Sequence, residues 1–237
     1  MARIVLVHGA WGQAAGWGRV PELLREAGHV AEAIDLPGHG ADSASPGHVT
    51  LADYAAALVE VLEEGDGPSV LVGHSMGGMP ISAAAELRPE GVSKVVYVAA
   101  FLPKDGDSRV ALKTREPDTF GASILRGPER GTTVLDPALA ADILFQDADV
   151  EQRDAGLSLL VPQPNAPQVD SVSLSAAGFG SVERHYIICL KDRTVTPWLQ
   201  RQMVAESPCA SVAELDAGHF PQLTQPAKLA TAILGIV

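Results

Sequence analysis

Ser75 lies in the run Gly73-His74-Ser75-Met76-Gly77, which fits G-x-S-x-G, the sharp strand-to-helix turn that lifts a serine hydroxyl above the edge of a sheet. A strand-like run from Pro68 to Val72 leads in, and a small-residue helical run from Ile81 to Leu87 leads out, so the context that the motif needs is present. A serine hydroxyl is a weak nucleophile at neutral pH. It needs a base within hydrogen-bond reach, and the base needs a group that orients its imidazole. In the arrangement that a G-x-S-x-G turn implies, the chain order is serine, acid, histidine, each at the carboxyl end of a strand. Of the seven histidines, His219 alone meets both conditions. His185 opens its strand, the others stand at or before position 74, and His74 should point away from its neighbour's hydroxyl. For the acid, Asp192 just past a strand is preferred, while Asp105 and Asp107 after the preceding strand are rivals. Asp216 is too close to His219 along the chain. An oxyanion formed at Ser75 would need backbone donors. Met76 N–H at the helix start and Ala10 N–H, in the loop His8-Gly9-Ala10 after the first strand, are the candidates. His8 itself reads as structural.

The elements that must position these groups alternate. Arg3 to Val7 is a continuous β-branched and leucine run, read as a strand buried on both faces. A helix from about Gly18 to Ala27 closes at Gly28. A strand over 29–35 follows, and Leu36-Pro37-Gly38-His39-Gly40 forces a loop. Thr50 to Asp53 offers a capping-box start to a helix bearing Leu51, Tyr54, Leu58, Val61 and Leu62. The Ser75 strand and helix come next, then a strand over 92–102. Such alternation implies a mostly parallel, doubly wound sheet with right-handed crossovers. From Pro103 to about Gly180 the alternation breaks: there are seven prolines, broken helical patterns such as Pro137 to Phe145, and no clear β-rich run. This segment is too long for a connection and too apolar for a linker, so it reads as a mainly helical cap inserted after the strand ending near Leu102. The expected division is a core of residues 1–102 and 181–237 with a cap over 103–180. Alternation resumes with a strand over 185–190, a helix from Pro197 to Val204, a short strand over 212–216 and a helix over 226–234.

At 237 residues, 46% hydrophobic and 19% charged, the composition is that of one compact globular unit. The net charge of −12 argues against nucleic acid, whose phosphates need a basic surface. No apolar run approaches the roughly 20 residues that span a bilayer. Met1 to Val7 reads as a strand rather than a signal peptide, so a cytoplasmic location is expected. Cys189 inside a strand and Cys209 on a loop read as a buried hydrophobe and a surface thiol rather than a disulfide. Neither has the neighbours of a metal site, and no cofactor is called for. The expected partner is a small-molecule ester, with no nucleic acid or membrane. A homodimer is left open.

The chain resembles the α/β-hydrolase family that includes plant methylesterases of methyl salicylate and methyl jasmonate, S-selective hydroxynitrile lyases and many bacterial esterases. The likeness runs through His8-Gly9-Ala10, Trp17, Ala27-Gly28-His29, Asp35-Leu36, Gly73 to Gly78, Phe179-Gly180-Ser181-Val182, Tyr186 to Cys189, Asp192 and Gly218-His219, almost the entire chain. The Phe179 to Asp192 portion is the most specific and carries the acid role onto Asp192. The resemblance implies an α/β-hydrolase fold and a cofactor-free serine carboxylesterase with the triad Ser75, His219 and Asp192. Trp11-Gly12-Gln13-Ala14-Ala15 departs from the plant enzymes, so substrate preference does not carry over. The pocket above Ser75 is expected to be largely hydrophobic, with Trp11 and Phe220 on its floor and Phe120, Leu144, Phe145 and Leu160 among the cap residues facing them, favouring aromatic or medium aliphatic esters over charged ones. Lyase chemistry on the same triad and a non-catalytic small-molecule binder are the alternatives. In the family's hydroxynitrile lyases a threonine and a lysine occupy the positions of Gly9 and Phe220, which speaks for hydrolysis.

Overall fold

The computed structural model describes residues 1–40, 45–118 and 120–237. Its first part alternates as β1 (Arg3–Val7), α1 (Val20–Glu26), β2 (Val30–Ile34), α2 (Leu51–Glu63), β3 (Ser69–His74), α3 (Gly78–Leu87) and β4 (Val92–Val98). The middle holds α4 (Arg109–Lys113), β5 (Ile124–Arg126), β6 (Thr132–Leu135), α5 (Pro137–Leu144), α6 (Val150–Ser158), β7 (Gln163–Pro164) and α7 (Ala166–Val169). Alternation then returns with β8 (Glu183–Cys189), α8 (Pro197–Glu206), β9 (Ser211–Leu215), α9 (Pro221–Thr224) and α10 (Pro226–Leu234). Six strands form one sheet in the order β2-β1-β3-β4-β8-β9, every pairing parallel. Among the described residues no helix is long and apolar enough to cross a membrane.

Parity along the strands decides which face each side chain covers. Val5, Val7, Leu71, Val95, Tyr97, Tyr186 and Ile188 pack under α2, α3 and α8, and Ile4, Leu6, Val70, Val72, Val96, Val98 and Ile187 pack under α1 and α10. Both faces are therefore apolar, as parallel strands require. Thr50 starts α2 with a full capping box, its side chain accepting from Asp53 N–H and the Asp53 carboxylate accepting in return from Thr50 N–H.

Three expectations need correction. β4 ends at Val98, not near Leu102, because Ala99 takes a positive φ of 45°. That turn lets Phe101 N–H donate to the carbonyl of Ser75 at 2.9 Å. Where no β-rich run was expected, β5, β6 and β7 form an antiparallel sheet; Gly131, at φ 83°, precedes β6 in the loop between β5 and β6, and Thr132-Thr133-Val134 supplies β-branched residues. Cys209 is not a surface thiol but half-buried against the α2 and α3 side of the core, and burial pushes its pKa up to about 11. Cys189 is buried, as expected.

Candidate active site

Ser75 stands between β3 and α3 at φ 54°, a conformation that costs a non-glycine residue energy and persists only where the surroundings enforce it. The enforcement is close packing. A Cβ on Gly77 would come within 2.7 Å of the His8 carbonyl oxygen and 2.8 Å of that of Val7, so only glycine lets the turn press onto the end of β1. Met76 follows in a one-turn 3-10 helix, Ser75–Gly77, that runs into α3, and its amide lies in the first turn where no intrahelical acceptor is available.

His219 arrives from the loop after β9. Asp147 holds that loop by accepting from Gly218 N–H at 2.6 Å and from the Thr224 hydroxyl at 3.2 Å. The imidazole Nε2 is 3.0 Å from Ser75 Oγ, and Nδ1 is 2.7 Å from Asp192 Oδ2. An aspartate carboxylate can only accept, so Nδ1–H donates to it and Nε2 is left to accept the serine proton. Asp192 is buried and fixed: Oδ1 accepts from Thr194 N–H at 2.7 Å and Val195 N–H at 3.0 Å, and Oδ2 accepts from Gln200 Nε2 at 3.3 Å. The rivals serve elsewhere. Asp105 accepts from Leu174 N–H, Asp107 from Lys104 N–H, and Asp216 pairs with Lys191 at the surface.

The other histidines of this sheet edge are braces. His74 donates through Nε2 to the carbonyl of His219 at 2.7 Å, and its Nδ1 faces the Gln222 amide at 3.3 Å. Burial, reinforced by the neighbouring His219 ring, holds its pKa well below the ordinary value and keeps it neutral. His8 accepts from Leu36 N–H through Nε2 and donates to Gly9 O, with burial lowering its pKa to about 4. His39 bridges Gly12 O and the Tyr54 hydroxyl, and burial with the nearby His8 lowers it to about 3.

Of the expected pocket residues, Ala10, Trp11, Phe120, Leu144 and Phe220 line the cavity over Ser75 and His219. Trp11, itself at φ 55°, is clamped by Gln163, Thr133 and the Val161 amide, and its ring meets Phe120 at 5.5 Å. Phe145 and Leu160 do not line this cavity. Phe145 follows α5 one residue past Leu144, so its ring turns inward, fully buried behind Phe220 at 4.8 Å. Leu160, just beyond α6, lines a separate hollow with Gly12 and Leu223. Phe101, Arg109, Lys113 and Thr194 line the serine's cavity and were not expected there. Gln200 was missed too, although a glutamine on the buried face of α8 beside Leu199 and Met203 is a readable oddity. The cavity measures about 20 Å³, room for roughly one water, so an ester enters only as the side chains around it shift.

A model of the alpha/beta hydrolase family matches residues 4–232. The chain belongs to that family. It is 30% identical to methylesterase 9 of Arabidopsis thaliana, covering 100% of this chain and 98% of that one. It is 31% identical to salicylic acid-binding protein 2 of Nicotiana tabacum over 98% of this chain and 95% of the relative. The crystal structure of polyneuridine aldehyde esterase superposes with a TM-score of 0.88 at 29% identity, covering 100% and 99% of the two chains. The resemblance to plant methylesterases is thus borne out, and this α/β-hydrolase stands among the carboxylesterase-type hydrolases.

Proposed function

We propose that this α/β-hydrolase cleaves small carboxylic esters with apolar or aromatic bodies through an acyl-enzyme. The single observation behind this reading is the relay Ser75 Oγ, His219, Asp192 with separations of 3.0 and 2.7 Å. His219 Nε2 takes the Ser75 proton as Oγ attacks the ester carbonyl, and Asp192 stabilises the imidazolium and fixes its tautomer. The N–H groups of Ala10 and Met76 stabilise the tetrahedral oxyanion, each such donor lowering the barrier by roughly 3 kcal/mol. His219 then protonates the departing alkoxide, and a water activated by the same nitrogen hydrolyses the acyl-serine. The methylesterase relatives make a methyl alcohol portion the first choice, and the name of the tobacco relative agrees with an aromatic acid as the acyl portion.

Lyase chemistry is the weaker reading. Phe220, packed on His74, His219 and Phe145, puts no cation beside His219 for a departing cyanide, and the cations that line the cavity, Arg109 and Lys113, come from α4 instead. A Cβ on Gly9 would lie 2.8 Å from the Ser75 Cβ, so a threonine there would press on the nucleophile. The Gly9 and Phe220 exchange that would import lyase residues therefore has to displace the serine itself.

The test is a fluorophosphonate label with peptide mass spectrometry, together with turnover of p-nitrophenyl and aryl methyl esters. Ser75→Ala should stay folded and lose about 10⁴-fold or more in kcat, and the label should sit on Ser75. An adduct elsewhere, or an active Ser75→Ala, removes the acyl-enzyme. Rapid cyanide release from mandelonitrile with negligible ester cleavage would favour the lyase.

A further inference from the structure

The cavity over Ser75 has one wall that the reaction just described leaves without a task. Arg109 opens α4 and is only 8% exposed, with its guanidinium 5.8 Å from the Trp11 ring centre and 5.6 Å from that of Phe101. It shares the wall with Lys113, but the two charges differ in how they are answered. Lys113 Nζ lies 2.6 Å from Glu116 Oε1 and donates to the Thr194 carbonyl at 2.6 Å. Arg109 Nε is buried and has no hydrogen-bond partner. The acid that acts on it, Asp118, is exposed, and its Oδ1 already accepts from the amides of Phe120 and Gly121. Burial lowers the Arg109 pKa only to about 10, so the group is a cation at neutral pH. Aromatic faces return part of the cost of burying a cation, and less than burial takes. A fork of donors in a dry, apolar site, with a nucleophile in the same cavity, suits a planar carboxylate.

We propose that Arg109 receives a free carboxylate of the substrate, so that the preferred substrates are monoesters of short dicarboxylic acids. This rests on the ester-hydrolase reading above and reverses the expectation that charged esters are disfavoured. Phe101 links the two ends of the site: its N–H donates to the Ser75 carbonyl at 2.9 Å while its ring carries the guanidinium. The spacer between ester and carboxylate is therefore short, a few methylenes or one aromatic ring. Hydrolysis consumes one water, breaks the acyl C–O bond, and yields the alcohol and a dicarboxylate, the released proton passing to solvent.

The experiment compares kcat/KM for monomethyl glutarate with its neutral isostere methyl 5-methylhexanoate, and for monomethyl terephthalate with methyl 4-isopropylbenzoate. The wild-type ratio of acid to neutral ester should exceed one in at least one pair. Arg109→Met should lower that ratio about 10- to 100-fold, the range for one charged hydrogen-bond partner, and Arg109→Lys should fall between. The wild-type ratio needs no variant to fold. A ratio of one or less in both pairs overturns the inference, and so does a ratio that Arg109→Met leaves unmoved, since a purely structural cation would change both esters alike. If Ser75 is labelled and neutral esters turn over while the ratio is one or less, the carboxylate site fails and the esterase stands. If neither class is cleaved, the esterase reading fails, and calorimetry on wild type and Arg109→Met decides the rest: binding of monomethyl glutarate lost in the variant supports the carboxylate site, and no binding to wild type overturns it.

Discussion

Asp192 accepts from His219 Nδ1, the Thr194 and Val195 amides and Gln200 Nε2, so its carboxylate plane is set before the imidazole meets it. The geometry argues for a severe effect of a subtle change. Asp192→Asn keeps the size, but with its Oδ1 held by two backbone amides the side chain must turn an NH₂ toward His219, which then offers a lone pair at Nδ1 and a proton at Nε2. That is the wrong tautomer for taking the serine proton, and kcat should drop on the order of 10⁴-fold. Asp105→Asn and Asp107→Asn should leave kcat within a few-fold, since those side chains hold loop amides at Leu174 and Lys104. Steady-state kinetics of the three variants on one aryl ester checks this, and a loss in either rival equal to that of Asp192→Asn would contradict it. Ser75 and His219 were legible because strand ends and motif spacing select them. Arg109 and Gln200 were not, because what matters about them is burial: a cation in a proline-rich stretch and a glutamine in a helix look the same in sequence whether they face water or a reacting serine.

At the scale of elements, the elbow depends on where the chain returns after its long excursion. Glu86, on α3, accepts from Ser175 N–H at 2.8 Å, from the Ser175 hydroxyl at 2.7 Å and from Phe179 N–H at 2.8 Å. Burial works to raise its pKa, but these hydrogen bonds prevail and hold it below the ordinary value. One carboxylate thus ties the helix that carries Ser75 to the Phe179-Gly180-Ser181-Val182 turn that starts β8, the strand that delivers Asp192. Glu86→Ala should cost about 0.5–1.5 kcal/mol, the net worth of an ordinary hydrogen bond, because the Ser175 donors are exposed and can turn to water while Phe179 N–H is partly buried. The loss is read as a lower urea midpoint with an unchanged slope. Glu86→Gln should recover part of it. An Ala variant as stable as wild type would mean that the tie is made elsewhere. The long strands and helices were readable because five to thirteen residues give a periodic pattern room to repeat. β5, β6 and β7, at two to four residues each, are too short for alternation to register, and their pairing is fixed by contacts such as Trp11 to Gln163 and Thr133 that join distant parts of the chain.

The whole molecule concentrates its buried histidines at the sheet edge that bears the site. His8, His39 and His74 are each 3% exposed or less, and burial lowers the first two to about 4 and about 3 and the third well below 6.5. Unfolded, each would take its proton near 6.5. As pH falls through 6.5 the unfolded chain therefore binds protons that the folded chain refuses, and stability is lost by up to about 1.4 kcal/mol per pH unit for each histidine. The loss continues until the folded-state values are reached, and above pH 6.5 both states are neutral, so this contribution is flat. Carboxylates held low by hydrogen bonds, such as Asp53 and Glu206, stabilise the fold above their ordinary values of about 4 and add to the loss only as the pH falls through those values. Urea melts should accordingly give a plateau from pH 8 to about 7 and a fall that is already steep between 6 and 5. In His39→Gln the plateau should sit lower, because the bridge between Gly12 and Tyr54 is disturbed, but the fall below 6.5 should be shallower by roughly one proton's worth. An unchanged slope would take His39 out of the account. His74 holds the backbone of His219 and His8 braces the loop that carries Ala10, so unfolding in acid also takes apart the groups around Ser75. Because His219 must in addition stay neutral to accept the serine proton, esterase activity should fall no later than the folded fraction as the pH drops, and return when the pH is restored.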